Sequence, residues 1–203
     1  MRLSDLEQDT AGWKTGAQDT RYADDHLSVV TEEVKTPSRS RPKSWTTVYR
    51  KSAVVVAAVT GEGTYLLVRQ ERIPIRRALW EMPAGQIDEA QPGQKEIEAA
   101  ALRELREETG YQLADGGELI GLGDYFASPG FTDEREYLFL ARPVEPVADQ
   151  TGRREESIIE CRAFSVAELQ GMIAANDIQD ANTLSLCARL AARGLLAFQA
   201  SSV

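Results

Sequence analysis

Residues Ala99 to Tyr111 read AAALRELREETGY. Five ionised side chains fall within six positions of this stretch, Arg103, Glu104, Arg106, Glu107 and Glu108, and the run stops at Gly110. An α-helix turns roughly 100° per residue, so Glu104 and Glu108, four apart, share one face, with Glu107 beside them. Carboxylates stacked in this way repel one another unless a cation lies between them. The plain alternative is a solvated helix face on which Arg103 and Glu107 form an i,i+4 ion pair.

The surroundings favour the cation. Ile97, Ala101, Leu102 and Leu105 fall at helical spacing, which predicts a helix over roughly Lys95 to Thr109, with Gly110 at its C′ position. Upstream, EMPAG (Glu81 to Gly85) provides a turn that can present backbone carbonyls near the helix. Carboxylates together with a carbonyl suit Mg²⁺ or Mn²⁺, not zinc. The chain has one histidine, His26, and no C-x-x-C pair, so a His- or Cys-rich metal site is excluded. No functional role is assigned to His26.

Further out, the pattern is strand-rich. LSVVTEEV (27–34), WTTVYRK, AVVVAAVT and TYLLVRQER read as strands, with TGEGT as a hairpin turn between the last two. TPSRSRPKS (36–44) is a Pro/Ser turn region. After the helix come GELIGLGDYFA and REYLFLARPV as strands, separated by the loop SPGFTDE (128–134), and SIIECRAF as the last strand. SVAELQGMIAAN reads as a helix with Ser165 as N-cap and Glu168 three residues on, a capping box, and DANTLSLCARLAARGLLAF as a closing helix. Residues 1–20 are polar without a clear period and are expected to be a loose arm or a short helix. The expected fold class is therefore α/β, a mixed sheet covered by helices.

With 203 residues, 42% of them apolar, the chain has enough for one domain and a real core. A formal charge of −9 argues against nucleic acid as a partner, and means that a phosphate-bearing substrate needs local positive charge. Bound divalent cations would supply that charge, since they can bridge acidic side chains to a pyrophosphate. Cys161 and Cys187 lie in apolar sequence and are expected to be buried thiols in a reducing compartment. The N-terminus lacks a signal-peptide core, and the longest apolar run, Ala53 to Val59, is too short to span a bilayer; a cytoplasmic location without membrane contact is expected.

Gly85 together with Arg103-Glu104-Leu105-Arg106-Glu107-Glu108-Thr109-Gly110-Tyr111 resembles the signature of the Nudix hydrolases, G-x5-E-x7-R-E-U-x-E-E-x-G-U, where U is bulky and apolar. LWEMPAGQID, LLVRQER (66–72) and SPGFTDE are similar to segments of the ADP-ribose pyrophosphatase branch. One departure stands out. The family pattern puts 14 positions between its Gly and its Arg, and here 103 − 85 = 18, so four residues are inserted within EAQPGQKE. The first glutamate of the pattern is displaced: counting forward lands on Gln91, counting back on Lys95, and Glu96 or Glu98 can substitute. The inserted segment is expected to be an exposed loop around Pro92 and Gly93.

The resemblance implies a Nudix-type α/β/α sandwich over 51–203, preceded by an N-terminal arm and β-rich dimerisation region over 1–50. It implies metal-dependent hydrolysis of the pyrophosphate bond of a nucleoside diphosphate sugar, ADP-ribose first, by attack of an activated water on one phosphorus. Another nucleotide sugar, a dinucleotide or a non-catalytic Nudix-fold ligand sensor is the alternative. Residue by residue, Glu104 and Glu108 are the implied main metal ligands, with Glu107 assisting and the Ala84 carbonyl completing the set. Arg103 orients Glu104 or Glu107. Glu156, or its neighbour Glu155, is the implied general base, with Glu134 as the next candidate. Arg72 and Glu81 sit near the pyrophosphate and ribose, Ser128 and Gly130 near the terminal ribose, and Trp45 can stack on the base. Mg²⁺ is the expected cofactor, with Mn²⁺ as the alternative, and a homodimer is the expected assembly.

Overall fold

The computed structural model describes residues 12–89, 92–148 and 157–199. Its centre is a seven-stranded mixed sheet in the order β10-β5-β4-β9-β8, with β6 paired to β5 and β7 paired to β4. The strands are β4 (Ala53–Thr60), β5 (Tyr65–Arg72), β6 (Arg77–Glu81), β7 (Ala84–Gln86), β8 (Tyr111–Phe126), β9 (Arg135–Pro146) and β10 (Ile158–Phe164). β4 and β9 run parallel and the other pairs antiparallel. β4 is a continuous apolar run because both of its faces are covered.

Helix α1 (Gln94–Glu104) closes one face through Ile97, Ala100, Ala101 and the following Leu105, packed on Val54, Val56 and Phe139. Helices α2 (Val166–Ala174) and α3 (Ala181–Ala192) close the other through Leu169, Leu186, Cys187 and Leu190, packed on Val55, Leu138 and Leu140. The architecture is thus an α/β/α sandwich, as expected. Ser165 caps α2 in the reciprocal capping box read from the sequence, and TGEGT turns the β4–β5 hairpin with Gly63 at φ 79°. Trp80 packs edge-on against Phe164 with ring centroids 5.0 Å apart.

A separate three-stranded antiparallel sheet, β1 (Lys14–Ala23), β2 (Leu27–Lys35) and β3 (Lys43–Arg50), precedes this core. The loose arm or short helix expected over 1–20 is corrected for its described part: residues 14–20 belong to strand β1. Nearly all of β1 is exposed on both faces, so period-two patterning never arises, and pairing with β2 alone holds it extended. β3 is tied to the SPGFTDE loop: Val48 N–H donates to Phe131 O at 2.7 Å and Arg50 N–H to Asp133 Oδ1 at 2.9 Å.

Four further expectations are corrected. The helix does not run as one α-helix to Thr109; α1 ends at Glu104 and residues Leu105–Thr109 form a wider π-helical turn, closed by Gly110 at φ 74°. Leu102 is exposed, and Ala100 takes its place on the packed face. EAQPGQKE is not loop throughout, since Gln94 opens α1. Of the two thiols, Cys187 is buried but Cys161 only half-buried.

The EMPAG turn is anchored from the opposite face. Met82 N–H donates to Thr183 Oγ1 at 2.8 Å, and the same hydroxyl donates to Asp180 Oδ2 at 2.8 Å. Both Met82 and Thr183 are buried. Thr183→Val keeps the shape but leaves a buried N–H without its partner, and should cost about 1–3 kcal/mol in urea unfolding; wild-type stability for the variant would show that this anchor is not needed.

Candidate active site

The first half of β4 pairs with β7 (Val54 with Gly85, Val55 with Ala84), the second half with β5 (Ala58 with Leu66). This split edge, with Val56 N–H donating to Pro83 O at 2.9 Å, sets the Ala84–Gly85 backbone directly against the C-terminal end of α1. A Cβ on Gly85 would lie 2.1 Å from the Glu104 carboxyl carbon. Only glycine permits that approach without displacing the carboxylate.

Glu104 and Glu108 are both buried, and Glu107 is half exposed. Ala84 N–H donates to Glu108 Oε2 at 2.9 Å. Arg103 bridges its neighbours: Nη1 is 2.8 Å from Glu104 Oε1 and 3.0 Å from Glu107 Oε2, while Nη2 donates to Gln86 O at 3.0 Å. The structure therefore brings together Ala84, Arg103, Glu104, Glu107 and Glu108. Wide helical turns recur at functional sites, and this one carries two of the three carboxylates.

Among the described residues no three His, Cys, Asp or Glu side chains close into a ready-made metal cage. The donor set is open and made of hard oxygens: two buried carboxylates, a third at the rim, and the backbone cradle that a Cβ at Gly85 would fill. That chemistry fits Mg²⁺ or Mn²⁺ sharing coordination with substrate phosphates, the usual arrangement for Mg²⁺.

Ala84, Gly85, Arg103, Glu104 and Glu107 line a cleft of about 580 Å³ together with His26, Arg50, Gln70, Arg72 and Asp88, while Glu108 is not part of its lining. Arg72 grips Glu81 through Nε at 2.9 Å and through Nη2. Burial raises the Glu81 carboxyl above its usual range, and the Arg72 hydrogen bond opposes that. Glu155 and Glu156 lie outside the described residues, as does Gln91. Ser157 is described: its carbonyl accepts from Glu71 N–H at 2.9 Å, and its hydroxyl from Gln70 Nε2 at 3.0 Å. Lys95, Glu96 and Glu98 all lie in the first half of α1; Lys95 and Glu96 line a small separate cavity of about 360 Å³ with Asp88 and Arg103.

Trp45 and Gly130 are not in this cleft. They line a second cavity of about 430 Å³ on the N-terminal sheet, with Trp13, Lys43 and Phe131. Lys43 Nζ stands 4.4 Å over the Trp45 ring. Ser128 closes the turn below it, its carbonyl accepting from Phe131 and Thr132 N–H. The two cavities are walled by neighbours, since Arg50 lines one and Asp133 the other.

Sequence reading missed Glu136 and His26. Glu136 lies at the start of β9 on the α3 face, only 3% exposed, and its Oε2 has no hydrogen-bond partner among the described residues. Burial, then the like charges of Glu134 and Asp180, push its carboxyl up to about 8, against the opposing pull of Arg50 and Arg72. Glu136 heads the apolar run of REYLFLARPV on the same strand face as Leu138 and Leu140, and that alternation is the signal that could have found it. Folded Glu136 keeps its proton from about pH 4.5 to about 8, whereas the unfolded chain has released it, so native stability falls as pH rises through that window. Glu136→Gln does not titrate and should gain on wild type across the same window, by on the order of a few kcal/mol at pH 9 relative to pH 5. Urea unfolding at pH 5, 7 and 9 reads the difference, and parallel curves would contradict it.

Comparison with known proteins agrees with this geometry. The NUDIX domain model matches residues 48–187. The chain is 31% identical over 170 residues to the ADP-ribose pyrophosphatase of Bacillus subtilis (strain 168), covering 84% of this chain and 88% of that protein. It is 31% identical over 137 residues to the methanol dehydrogenase activator of Bacillus methanolicus, covering 68% and 70%. A solved structure described as an ADP compounds hydrolase superposes with a TM-score of 0.71 over 90% of this chain and 96% of that one, at 16% identity, and so shares the fold. With Gly85 and the R-E-L-R-E-E-T-G-Y run set around one cleft and this family model spanning the sheet and all but the end of α3, the chain belongs to the Nudix family, in its ADP-ribose pyrophosphatase-like branch.

Proposed function

We propose that this protein hydrolyses the pyrophosphate bond of a nucleoside diphosphate sugar in a divalent-metal-dependent reaction, with ADP-ribose as the first substrate to test, giving AMP and ribose 5-phosphate. The observation that carries the reading is the pair of buried carboxylates, Glu104 against the Gly85 backbone and Glu108 accepting the Ala84 N–H, beside a cleft of about 580 Å³. Glu104, Glu108 and the Ala84 carbonyl are assigned as metal ligands, Glu107 as the assisting one, and Mg²⁺ as the cation, with Mn²⁺ as its substitute. When bound, the cation lowers the pKa of water and offsets charge on the phosphate oxygens.

The chain's own residues do the rest. Arg103 holds Glu104 and Glu107 in orientation through Nη1. Arg72, steadied by Glu81, lines the cleft and can donate to a phosphate oxygen, and Glu81, itself buried behind Arg72, is assigned to the ribose side. The carboxylates committed to a cation are poor bases, so the proton of the attacking water goes to a separate group. Glu156 is assigned that role, with Glu155 next to it as the lesser candidate. Support comes from Ser157, the residue after Glu156, which is tied to Gln70 on the cleft wall. Ser128 and Gly130 are assigned to the terminal ribose, and Trp45, in its cavity beside Lys43, to the base. The N-terminal region, 1–50, is assigned to pairing of two subunits and 51–203 to the hydrolase domain. Trp13, Tyr22, Trp45 and Phe131 are exposed apolar side chains on or beside that sheet, which favours a homodimer. The two unbridged thiols fit a cytoplasmic location. Among the described residues no helix is long and apolar enough to cross a membrane.

A panel of ADP-ribose, GDP-mannose, ADP-glucose, NADH and diadenosine polyphosphates with Mg²⁺ or Mn²⁺, following AMP or GMP release, tests the reading. Glu108→Gln should lower kcat by on the order of 10²-fold with the fold intact. Glu156→Gln should lower kcat strongly with little change in KM, because its interaction exists mainly in the transition state. Unchanged turnover in the first would sink the metal assignment, and in the second the base. Sedimentation should give a dimer; a fully active monomer refutes the pairing.

A further inference from the structure

Three consecutive residues of the EMPAG turn are held by three different elements. Met82 N–H donates to Thr183 Oγ1 on α3 at 2.8 Å, Pro83 O accepts from Val56 N–H on β4 at 2.9 Å, and Ala84 N–H donates to Glu108 Oε2 at 2.9 Å. The register sets Val54 against Gly85 and Val55 against Ala84. Because Val56 and Pro83 carry a ladder hydrogen bond, Ala84 falls at a non-hydrogen-bonded position of the antiparallel pair. Its N–H and C=O therefore both point away from β4, to the side on which Glu108 stands. Ala84 O is the carbonyl assigned to the metal, and it lies two residues after Met82.

Of the three holds, only the one on Met82 comes from the helix layer opposite α1. Thr183 is fully buried, and Met82 nearly so. The threonine owns a single hydroxyl proton, which goes to Asp180 Oδ2 at 2.8 Å; the same carboxylate oxygen accepts the Thr183 N–H at 2.7 Å. The hydroxyl oxygen is thereby committed as an acceptor, and Met82 N–H is its donor. Asp180 is the N-cap of α3, so cap, hydroxyl and turn form one chain running from the helix start to the edge of the cleft. Pro83, with its φ locked by the ring, stands between Met82 and Ala84, so a displacement of Met82 is passed on to Ala84 with little slack.

We propose that Thr183 is a positioning residue for the metal site: held by Asp180, it fixes the EMPAG turn from the α3 side and so sets where the Ala84 carbonyl stands relative to Glu104 and Glu108. This rests on the metal-dependent reading of the cleft. It makes α3, which supplies no side chain to the described lining of the cleft, a determinant of cation affinity. Its hydroxyl acts on the ligand set from behind, as groups that orient metal ligands do.

The test measures the Kd for Mn²⁺ of the substrate-free protein by electron paramagnetic resonance, and the Mg²⁺ concentration that half-saturates ADP-ribose hydrolysis. It compares wild type with Thr183→Val, Thr183→Ser and Ser165→Ala. Thr183→Val should raise both values about tenfold, the size expected when a group that orients a ligand is lost, with KM for ADP-ribose at saturating Mg²⁺ within about twofold. Thr183→Ser keeps the hydroxyl and should stay within about twofold of wild type. Ser165→Ala lowers stability through the cap of α2, a different helix, and should leave the Mn²⁺ Kd unchanged, as a general loosening of the fold would not. If Thr183→Val does not fold, Thr183→Cys, whose sulfur is a poor acceptor, should move the Kd in the same direction. A folded Val or Cys variant with the wild-type Mn²⁺ Kd, or an equal rise in Ser165→Ala, overturns the positioning role and leaves the hydrolase reading in place. A Thr183→Val site about tenfold weaker for Mn²⁺, in a protein whose wild type cleaves none of the nucleotides, supports the role and sinks the hydrolase reading. A wild type that binds no Mn²⁺ overturns both.

Discussion

The close approach of the Gly85 backbone to the Glu104 carboxylate is the contact on which the rest of the site depends. A single methyl group at position 85 would lie 2.1 Å from the carboxyl carbon, so sheet and helix meet there without room for a side chain. Three features enforce the approach. β4 divides its edge between β7 and β5. The apolar side chains of α1 clamp the helix to the sheet. From the far face, α3 holds the EMPAG turn through Thr183. Each is a packing or hydrogen-bonding device of ordinary kind, and together they leave two carboxylates buried where the backbone turns.

Burying carboxylates is costly unless they are paired or bonded. The protein meets that cost unevenly, and the pattern of its solutions traces the site. Glu81 is gripped by Arg72, Glu104 touches Arg103, and Glu108 accepts the Ala84 N–H. Glu134 has Arg50. Glu136 has none of these and is instead held largely neutral near pH 7, its burial outweighing the two arginines nearby. An acidic chain thus keeps its cleft compact by fixing each of the cleft's arginines against a carboxylate.

Much of the architecture was legible because it is written in local pattern. The β4–β5 hairpin, the capping box at Ser165 and the stop at Gly110 each depend on residues within a few positions of one another, and each stands where the sequence placed it. The gathering of Glu104, Glu107 and Glu108 with Ala84 and Gly85 was also legible, since a helical period and a family spacing both point to it. The misreadings have a common cause. β1 is extended only because β2 pairs with it, Ala100 rather than Leu102 falls on the face of α1 that packs on the sheet, and the wide turn after Glu104 lies where the helix end meets the Gly85 backbone. None of these is a property of the segment alone.

The sequence by itself determined the family, the α/β order of elements and the carboxylate set, because helical spacing, turn chemistry and a near-contiguous motif are short-range features. Only the tertiary structure decided that Trp45 and Gly130 occupy a cavity apart from the carboxylates, that Glu136 is buried beside Glu134, and that His26 reaches the cleft. Those placements come from strand register across dozens of residues: Leu27 against Arg50 carries the β1–β2 turn to the active cleft, and Val48 against Thr132 carries the SPGFTDE loop to the N-terminal sheet. Register is set by which faces of two distant strands can be buried together, and no segment read alone contains that information.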